Sequence, residues 1–362
     1  MDRRSFIKKA GLATGAAGAA AVFPMPAISQ GMQELKMVTT WPKNFPGLGT
    51  GAERVAANIT TLTEGRLTVK VYAAGELVPP FESFDAVSTG TAEMYHAADY
   101  YWQGKHTGFN FWTAVPMGMT KPEIDAWIDF LGGQELWDEL ALGFGVKGLQ
   151  AGNTGVQMGG WFANEITSLE DLKGLKFRMP GLGGEVLRRL GASVVALPGG
   201  EIFPALQSGA IDGTEWVGPW NDLAFGFYKI VKNYYWPGYH EPGSSLTVGI
   251  NKGIWEGLSA TDQAIVKSVC QAENNYSYAE FMANNGTALE TLINEHGVVL
   301  KEFPHEVFDE IARVSEEVVN ESAQDDLGTR ILESYKTARR QVGDWALIAE
   351  QAYLNARKRA LG

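Results

Sequence analysis

Residues 168–197 read SLEDLKGLKFRMPGLGGEVLRRLGASVVAL and alternate between helix and strand patterns. Ser168 with Asp171 three positions later is a helix-capping pattern, and the apolar alternation from Leu175 to Met179 is typical of a strand. The pattern at 184–190 predicts a further helix, and ASVVAL predicts another strand after it. Strands that alternate with helices in this way favour an α/β protein with parallel strand pairs.

The same alternation opens the chain. LKMVTTW (35–41) predicts a strand, GAERVAANITTLTEG (51–65) a helix closed by Gly65, and LTVKVYAAG (67–75) a second strand. A strand, helix and strand in this order imply a second region of parallel sheet.

Two segments of the chain resemble each other. FDAVSTGTAEM (84–94) aligns with FPALQSGAIDG (203–213), and each predicts a short helix that ends at glycine, then a strand, then a loop. Any helix-glycine-strand unit would look similar, so the match alone is thin evidence. Because both copies are followed by aromatic and polar loops, YHAADYYW and TEWVGPW, we expect two similar α/β lobes that present equivalent loops to each other.

Past Lys252 the pattern becomes mainly helical, and the last 36 residues, 327–362, are amphipathic. We expect one broad apolar face there, formed by Ile331, Leu332, Tyr335, Val342, Trp345, Ile348, Ala349, Ala352 and Tyr353. Such a face needs a partner surface, either the chain's own core or that of another subunit.

The first 30 residues, MDRRSFIKKAGLATGAAGAAAVFPMPAISQ, have a basic start, an apolar middle and a small-residue end. This is the layout of an export signal, and Arg3 and Arg4 with their flanks resemble the twin-arginine motif. We place the signal at residues 1–29, with cleavage near Ser29–Gln30. The apolar run is too short to predict a membrane span.

The charge and composition of the chain limit the functions that it can have. The chain has 45% hydrophobic and 20% charged residues and a net charge of −12, which becomes −15 once the four cations and one anion of residues 1–29 are removed. This is an ordinary globular composition, and its acidity argues against nucleic acid as a partner. The single cysteine, Cys270, predicts a buried structural thiol.

Catalytic motifs are missing from the sequence. It contains no G-x-S-x-G, H-E-x-x-H, P-loop or C-x-x-C pattern, and its five histidines show no ligand spacing on one helix; of these, His96 and His240 lie in aromatic loops. Residues 47–52 fit a loose dinucleotide fingerprint, but they follow a proline and a loop. We interpret them as a helix N-terminus beside a cleft.

The turn AIDGTEWVGPW (210–220) concentrates Asp212, Glu215 and Trp216 in a few residues, which suggests a ligand site. Arg178 alternates with apolar residues at the carboxyl end of its strand, where open α/β sheets bind ligands. Its guanidinium would suit a carboxylate bidentately, although a solvated arginine is the alternative. Trp220 either walls the cleft or packs in the core.

The stretch EITSLEDLKGLKFRMPGLGGEVLRRLGASVVALPGGEIFPALQSGAIDGTEW (165–216) resembles the central signature of the solute-binding proteins of tripartite ATP-independent periplasmic (TRAP) transporters. The resemblance covers essentially the whole mature chain. TGVQMGGW (154–161), GTEWVGPW (213–220) and GYHEPG (238–243) are similar to the branch that binds 2-oxo acids or related carboxylates with a cation.

This resemblance implies roles for five residues. The carboxylate-binding arginine falls on Arg178, with Gln157 and Trp216 as further substrate contacts. A Na⁺ or Ca²⁺ ion would take the side-chain oxygen of Gln157, the carboxylate of Glu215 and the main-chain oxygen of Trp216, and Glu241 would complete its shell. Hard cations prefer such oxygen ligands. We expect Asp212 to support the loop without touching the ligand.

The resemblance also implies a two-lobed periplasmic-binding-protein-like α/β fold with mixed sheets and long C-terminal helices. We expect residues 32–152 plus about 243–282 in lobe 1, residues 153–242 plus about 283–326 in lobe 2, and residues 327–362 as a helical segment for dimerisation. A monomer whose terminal helix folds back on its own chain is the alternative.

The implied function is that of a non-enzymatic periplasmic receptor. It would bind a small 2-oxo or 2-hydroxy monocarboxylate, such as pyruvate or a longer 2-oxo acid, together with the cation, and deliver it to TRAP membrane permease subunits. The rival interpretations are a periplasmic enzyme that uses the metal as a Lewis acid on carboxylic acids, and a ligand-binding partner of a sensor.

Overall fold

The computed structural model describes residues 32–362. The expected export signal, with Arg3, Arg4 and the cleavage position, lies outside these residues.

Eleven strands and twelve α-helices occur in the described part of the chain. The strands are β1 (Gln33–Thr39), β2 (Leu67–Tyr72), β3 (Met94–Ala97), β4 (Val146–Asn153), β5 (Gly160–Phe162), β6 (Lys176–Arg178), β7 (Ser193–Val195), β8 (Gly213–Thr214), β9 (Asn233–Trp236), β10 (Ser245–Asn251) and β11 (Val299–Glu302). The helices are α1 (Gly49–Leu62), α2 (Ser83–Ser88), α3 (Lys121–Phe130), α4 (Gly133–Gly143), α5 (Gly181–Arg189), α6 (Gly199–Ser208), α7 (Pro219–Phe225), α8 (Lys252–Gly257), α9 (Ala260–Asn294), α10 (His305–Glu321), α11 (Asp326–Ala346) and α12 (Ala352–Leu361). Short 3₁₀ helices include Asp99–Trp102 and Leu169–Leu172, and a π turn, Leu347–Gln351, joins α11 to α12.

The strands form two mixed sheets. The first has the order β2-β1-β3-β10-β4, with β1 parallel to β2 and β3, and β10 antiparallel to β3 and β4. The second has the order β11-β9-β5-β8-β6-β7, with β6 parallel to β7 and β8, and β5 antiparallel to β8 and β9. The predicted α/β class with mixed sheets and long C-terminal helices is confirmed.

The segment 168–197 folds as predicted, with shifted boundaries. The capping pattern is present, because the Asp171 carboxylate accepts the Ser168 amide at 2.9 Å, but it begins only the 3₁₀ turn Leu169–Leu172. Gly174 ends that turn with a φ of +74°, a left-handed conformation that glycine adopts readily. The following helix, α5, begins at Gly181, three residues before the predicted start.

The two similar segments occupy equivalent places in the two sheets. Helix α2 precedes β3 in the first sheet, and helix α6 precedes β8 in the second. The loops that follow β3 and β8 both reach one cavity, which Tyr100 lines from one side and Trp216 from the other. The repeat in the sequence therefore corresponds to two units that face each other.

The chain crosses between the sheets more than once. It leaves the first sheet after β4, returns with β10, and then α9 runs for 35 residues and packs against β4, α1 and α7. Cys270 on α9 is buried in the core of the first sheet. The exact lobe limits proposed from the sequence stay a prediction.

The expected single apolar face of residues 327–362 is divided by the fold. Ile331, Tyr335 and Ala338 on α11 are buried against the body of the protein, where the Tyr335 hydroxyl accepts the Met119 amide at 2.8 Å. Beyond Gly343 the large apolar side chains are exposed, including Trp345 (66%) and Ile348 (73%). Within residues 32–362, none of the helices is long and apolar enough to cross a membrane.

Candidate functional site

Five residues predicted from the sequence converge between the two sheets. Arg178 ends β6, and Glu215 and Trp216 follow β8, which pairs with β6 in parallel, so all three emerge at the same sheet edge. Gln157 precedes β5, and Glu241 follows β9. All five are buried. Charged residues are rarely buried unless they have a partner or a function.

Arg178 and Glu215 form a buried ion pair. Arg178 Nη1 contacts Glu215 Oε1 and donates to the Glu215 main-chain oxygen at 3.2 Å, while Nε donates to the Leu197 carbonyl at 3.1 Å. These bonds fix the plane of the guanidinium. The Trp216 ring centroid lies 5.2 Å from Arg178 Cζ, so the indole covers the positively charged guanidinium.

Gln157 and Glu241 form a second polar pair at the same place. Gln157 Nε2 donates to Glu241 Oε2 at 2.8 Å and to Thr154 Oγ1 at 3.2 Å. With its nitrogen used in this way, the amide oxygen of Gln157 is left free to accept. Burial raises the pKa of Glu241 to about 7, and repulsion from Glu215 adds to the shift.

Several buried polar atoms of this cluster lack a hydrogen-bond partner among residues 32–362. They are Gln157 Oε1, Arg178 Nη2, Glu215 Oε2, Trp216 Nε1 and both ring nitrogens of His240. An unsatisfied buried polar group costs about 1–3 kcal/mol, so a concentration of them at one place indicates a binding site. The oxygen atoms fit a hard cation, and the free guanidinium nitrogen fits an anion.

A small cavity lies beside these residues. Its lining comprises Trp41, Leu48, Ala98, Tyr100, Tyr101, Thr154, Gln157, Trp216, Val217, Glu241, Ser244 and Leu246. Arg178 and Glu215 do not line it, whereas Trp216, whose ring covers the Arg178 guanidinium, does. Gly199 leaves room for this indole, since a Cβ there would come 2.6 Å from Trp216 Cη2.

A larger groove lies elsewhere, between α3, α4 and α9. Three of its charged lining residues are paired: Asp125 with Lys121 at 2.5 Å, and Asp138 with Lys147. We assign the functional site to the smaller cavity, because the unpartnered polar atoms cluster there.

Asp222, which the sequence reasoning missed, holds the turn that carries Glu215 and Trp216. Its Oδ2 accepts the Tyr234 hydroxyl at 2.6 Å and Trp161 Nε1 at 2.9 Å, and its Oδ1 accepts the Val217 amide at 3.3 Å. Burial raises its pKa to about 7. The only signal in the sequence is its position in the first turn of α7, since its two side-chain donors, Trp161 and Tyr234, lie on β5 and β9.

Asp99 has the corresponding role in the other sheet. It accepts the Tyr95 hydroxyl at 2.9 Å and Trp137 Nε1 at 3.2 Å, directly before the cavity residues Tyr100 and Tyr101. Burial raises the pKa of Asp99 to about 7 as well. Each sheet thus anchors its cavity loop on a buried aspartate with a tyrosine and a tryptophan donor.

The remaining predicted residues lie outside the cluster. The Asp212 carboxylate accepts the Lys176 amide at 3.0 Å, so Asp212 ties β6 to the loop before β8. Trp220 packs against Phe281, with centroids 5.3 Å apart, and does not line the cavity. His96 is buried behind Trp41, whose Nε1 donates to His96 Nδ1 at 2.7 Å.

Residues 37–326 match the model of the bacterial extracellular solute-binding protein family 7. The chain belongs to this family. It is a TRAP-type solute-binding protein, as the signature at 165–216 implied. Over 321 residues it is 40% identical to a monocarboxylate 2-oxoacid-binding periplasmic protein of Nostoc sp. (strain PCC 7120), with 88% of each chain covered.

Two solved TRAP solute-binding proteins share the fold closely. The protein from Bordetella bronchiseptica RB50, a mixed-occupancy dimer with calcium and picolinate in one active site, superposes with a TM-score of 0.88 at 34% identity, covering 91% of this chain and 98% of that one. The protein from Pseudoalteromonas atlantica T6c, with sodium and pyruvate bound, gives 0.87 at 39% identity, covering 90% and 99%.

Proposed function

We propose that this chain is the solute receptor of a TRAP transporter and binds a small 2-oxo or 2-hydroxy monocarboxylate together with Na⁺ or Ca²⁺. The receptor then passes the carboxylate to the membrane permease subunits without altering it chemically. Membership of a solute-binding family and the ligands of the two solved relatives support this proposal.

The observation that carries the proposal is the buried charge set beneath the cavity. Arg178 offers Nη2 to the carboxylate of the ligand, with its plane already fixed by Leu197 and the Glu215 main chain. Glu215 Oε2 and Gln157 Oε1 are free acceptors for the cation, and Glu241 accepts the Gln157 amide beside them. The Trp216 main-chain oxygen would be a further ligand. A bound cation would supply positive charge between the ligand oxygens and these acidic groups.

Residues of the chain would bind and orient the ligand and exclude water from it. Tyr100, Tyr101 and Trp41 line the opposite wall of the cavity and would enclose the apolar end of the ligand. Closure of the two lobes, with the limits expected from the sequence, would bring this wall onto the charged groups.

The ligand identity can be tested directly. Mass spectrometry of small molecules released from natively purified protein should find a 2-oxo or 2-hydroxy monocarboxylate. Calorimetry should then show that pyruvate binds far more tightly than propionate, which lacks the second oxygen that could share a cation. Equal affinity for both acids would contradict the proposal, and conversion of bound pyruvate into another compound would indicate an enzyme.

We place the receptor in the periplasm. The export-signal pattern of residues 1–29 and the extracellular character of the family support this location. Fractionation of cells that express the full chain should recover the processed protein from the periplasmic fraction.

We also propose that the receptor is a homodimer joined through its C-terminal helices. Trp345, Ile348 and Tyr353 are exposed on a helix that extends past the body of the protein, and α12 packs mainly on the preceding π turn. Exchange of such an element between two copies is a common route to two-fold dimers, and the Bordetella relative is a dimer.

A further inference from the structure

The loop between β1 and α1 of the first sheet contacts helix α7, which follows β8 of the second sheet. Phe45 on this loop packs on Phe225 with ring centroids 4.4 Å apart, and its centroid lies 6.1 Å from that of Trp216. The Pro46 carbonyl oxygen accepts a hydrogen bond from Asn221 Nδ2 at 3.0 Å. Phe45 and Asn221 are both buried. An aromatic contact and a hydrogen bond therefore join the two sheets at this place.

The loop keeps its shape through hydrogen bonds within itself. The Phe45 amide donates to the Pro42 carbonyl oxygen, and the Thr50 amide to that of Phe45, both at 3.1 Å. The Gly47 amide donates to Thr50 Oγ1 at 3.0 Å. Asn44 and Gly47 have φ values of +55° and +69°, which asparagine and glycine adopt more readily than other residues. The loop is thus formed independently of α7.

Helix α7 fits closely against this loop. A Cβ on Gly47 would come 2.9 Å from Trp220 Cζ3, so the glycine lets the loop approach the indole. The Trp220 amide in turn donates to Asn285 Oδ1 on α9 at 3.1 Å. Phe45, Trp220 and Asn221 do not line the cavity. This contact joins the sheets beside the ligand site without being part of it.

The groups proposed to bind the ligand are closed off from solvent. The side chains of Arg178 and Glu215 are 1% exposed, and Gln157 is buried as well. A carboxylate and a cation therefore reach these groups when the two sheets move apart, and they leave by the reverse movement. Contacts that join the sheets must break at the same time, so their strength affects the rate of release.

We propose that the contact of Phe45 and the Pro46 carbonyl with Phe225 and Asn221 is a latch that retains the ligand. The latch forms when the sheets close and breaks when they separate. Phe45 and Asn221 are then positioning residues, because they act on ligand release without touching the ligand. This inference rests on the proposed function, since it concerns the ligand of the same site.

Release rates test the latch, with Ca²⁺ and pyruvate as the probes. In stopped-flow tryptophan fluorescence, Phe45→Ala should release pyruvate at least about 10-fold faster than wild type, because a buried aromatic contact is lost. Asn221→Ala should release it about fivefold faster, as expected for one hydrogen bond. The association rate should stay within about threefold, since the open molecule meets the ligand without the latch.

The melting temperature of the ligand-free protein separates a latch from ordinary core packing. The open molecule has already lost the contact, so Phe45→Ala and Asn221→Ala should melt within about 2 °C of ligand-free wild type. A residue that only supports the core would lower this temperature.

Two matched controls come from contacts inside one sheet region. Phe144 packs on Phe84 and Phe109 beside the first sheet, and Asn233 donates to the Phe162 carbonyl at 3.3 Å within the second. Phe144→Ala and Asn233→Ala should lower the melting temperature and leave the release rate within about twofold of wild type.

Unchanged release from both latch variants of a protein that binds pyruvate would overturn the latch alone. A fall in their ligand-free melting temperature as large as in the controls would also overturn it. If Phe45→Ala does not fold, Asn221→Ala decides the question. Wild-type protein that binds no pyruvate would instead contradict the receptor function together with the latch, so the two failures can be told apart.

Discussion

Arg178 and Glu215, the residues proposed to hold the carboxylate and the cation, are bound to each other, and each side chain is only 1% exposed. The pair neutralises itself. A carboxylate that entered alone would therefore leave an uncompensated negative charge in the interior, and a cation that entered alone would leave an uncompensated positive charge. Burying an unpaired charge is costly. The geometry therefore favours a site that takes carboxylate and cation together.

Replacement of Arg178 should abolish tight carboxylate binding. Truncating one partner of a buried charge pair costs about 2–5 kcal/mol, which corresponds to roughly 30-fold to several thousand-fold in affinity. Arg178→Met should lose this amount, and Arg178→Lys nearly as much, because lysine lacks the fork. Calorimetry with pyruvate measures the loss, and Arg188→Met on the exposed face of α5 is the control. An affinity of Arg178→Met within about threefold of wild type would exclude the assignment.

Cation and carboxylate should strengthen each other's binding. By linkage, the factor by which Ca²⁺ raises the pyruvate affinity must equal the factor by which pyruvate raises the Ca²⁺ affinity. Glu215→Gln should bring both of these enhancement factors close to one. It removes the Glu215 carboxylate, which is the proposed cation ligand and the ion-pair partner of Arg178. Paired titrations after chelator treatment decide this. Identical pyruvate affinity with and without every cation would show that the carboxylate binds without a metal.

Asp222 should be a positioning residue for the cation. In Asp222→Asn the amide NH₂ must face a donor, either the Val217 N–H or the two side-chain donors, so the turn that carries Glu215 and Trp216 loosens. We expect a loss of about 1–3 kcal/mol in the free energy of unfolding and weaker Ca²⁺ binding.

Asp99→Asn provides the matched control for that variant. It disrupts the equivalent network in the other sheet and should lower stability, while Ca²⁺ affinity without carboxylate stays near wild type. Equal effects of the two variants on Ca²⁺ affinity would mean that Asp222 acts only through overall stability.

Asp99 should also make stability depend on pH. Its pKa is about 7 in the folded protein and 3.8 in the unfolded chain, so between these values the folded state holds a proton that the unfolded chain has released. The contribution of Asp99 to the free energy of unfolding therefore falls as pH rises from about 4 to about 7. Urea unfolding should show Asp99→Asn gaining stability relative to wild type over this range. If the free energies of unfolding of wild type and Asp99→Asn changed with pH in parallel, the raised pKa of Asp99 would be contradicted.

Truncation of the exposed tail should convert the proposed dimer to a monomer. Tyr335 and the buried part of α11 must be kept, because Tyr335 accepts the Met119 amide and Arg339 donates to the Met117 carbonyl at 3.0 Å. A chain that ends at Gly343 should therefore keep its melting temperature and lose self-association in sedimentation experiments. Ile348→Lys should act in the same direction. Full-length protein that sediments as a monomer at micromolar concentration would remove the dimer proposal and leave the ligand site unaffected.

Some of this architecture could be predicted because its signals are local. The alternation of residues 168–197 identified β6 and placed Arg178 at its end, and the turn at 210–220 indicated a ligand site. The helix boundaries in the structure differ from the predicted ones by a few residues, because capping and glycine conformation set them. Asp99 and Asp222 escaped prediction because a single buried residue has no periodic pattern, and the Asp222 partner Trp161 lies 61 positions away.

The sequence by itself determined the α/β alternation, the repeat of helix, strand and loop, and the chemical types of the site residues, because these depend on near neighbours. Only the tertiary structure decided which of those residues meet. It joins Arg178 to Glu215 across 37 positions and Gln157 to Glu241 across 84, leaves His240 buried without a partner among the described residues, and divides the apolar face of the C-terminal helices. Burial and pairing depend on contacts between elements distant in the chain, and those contacts exist only after the two sheets have packed around one cavity.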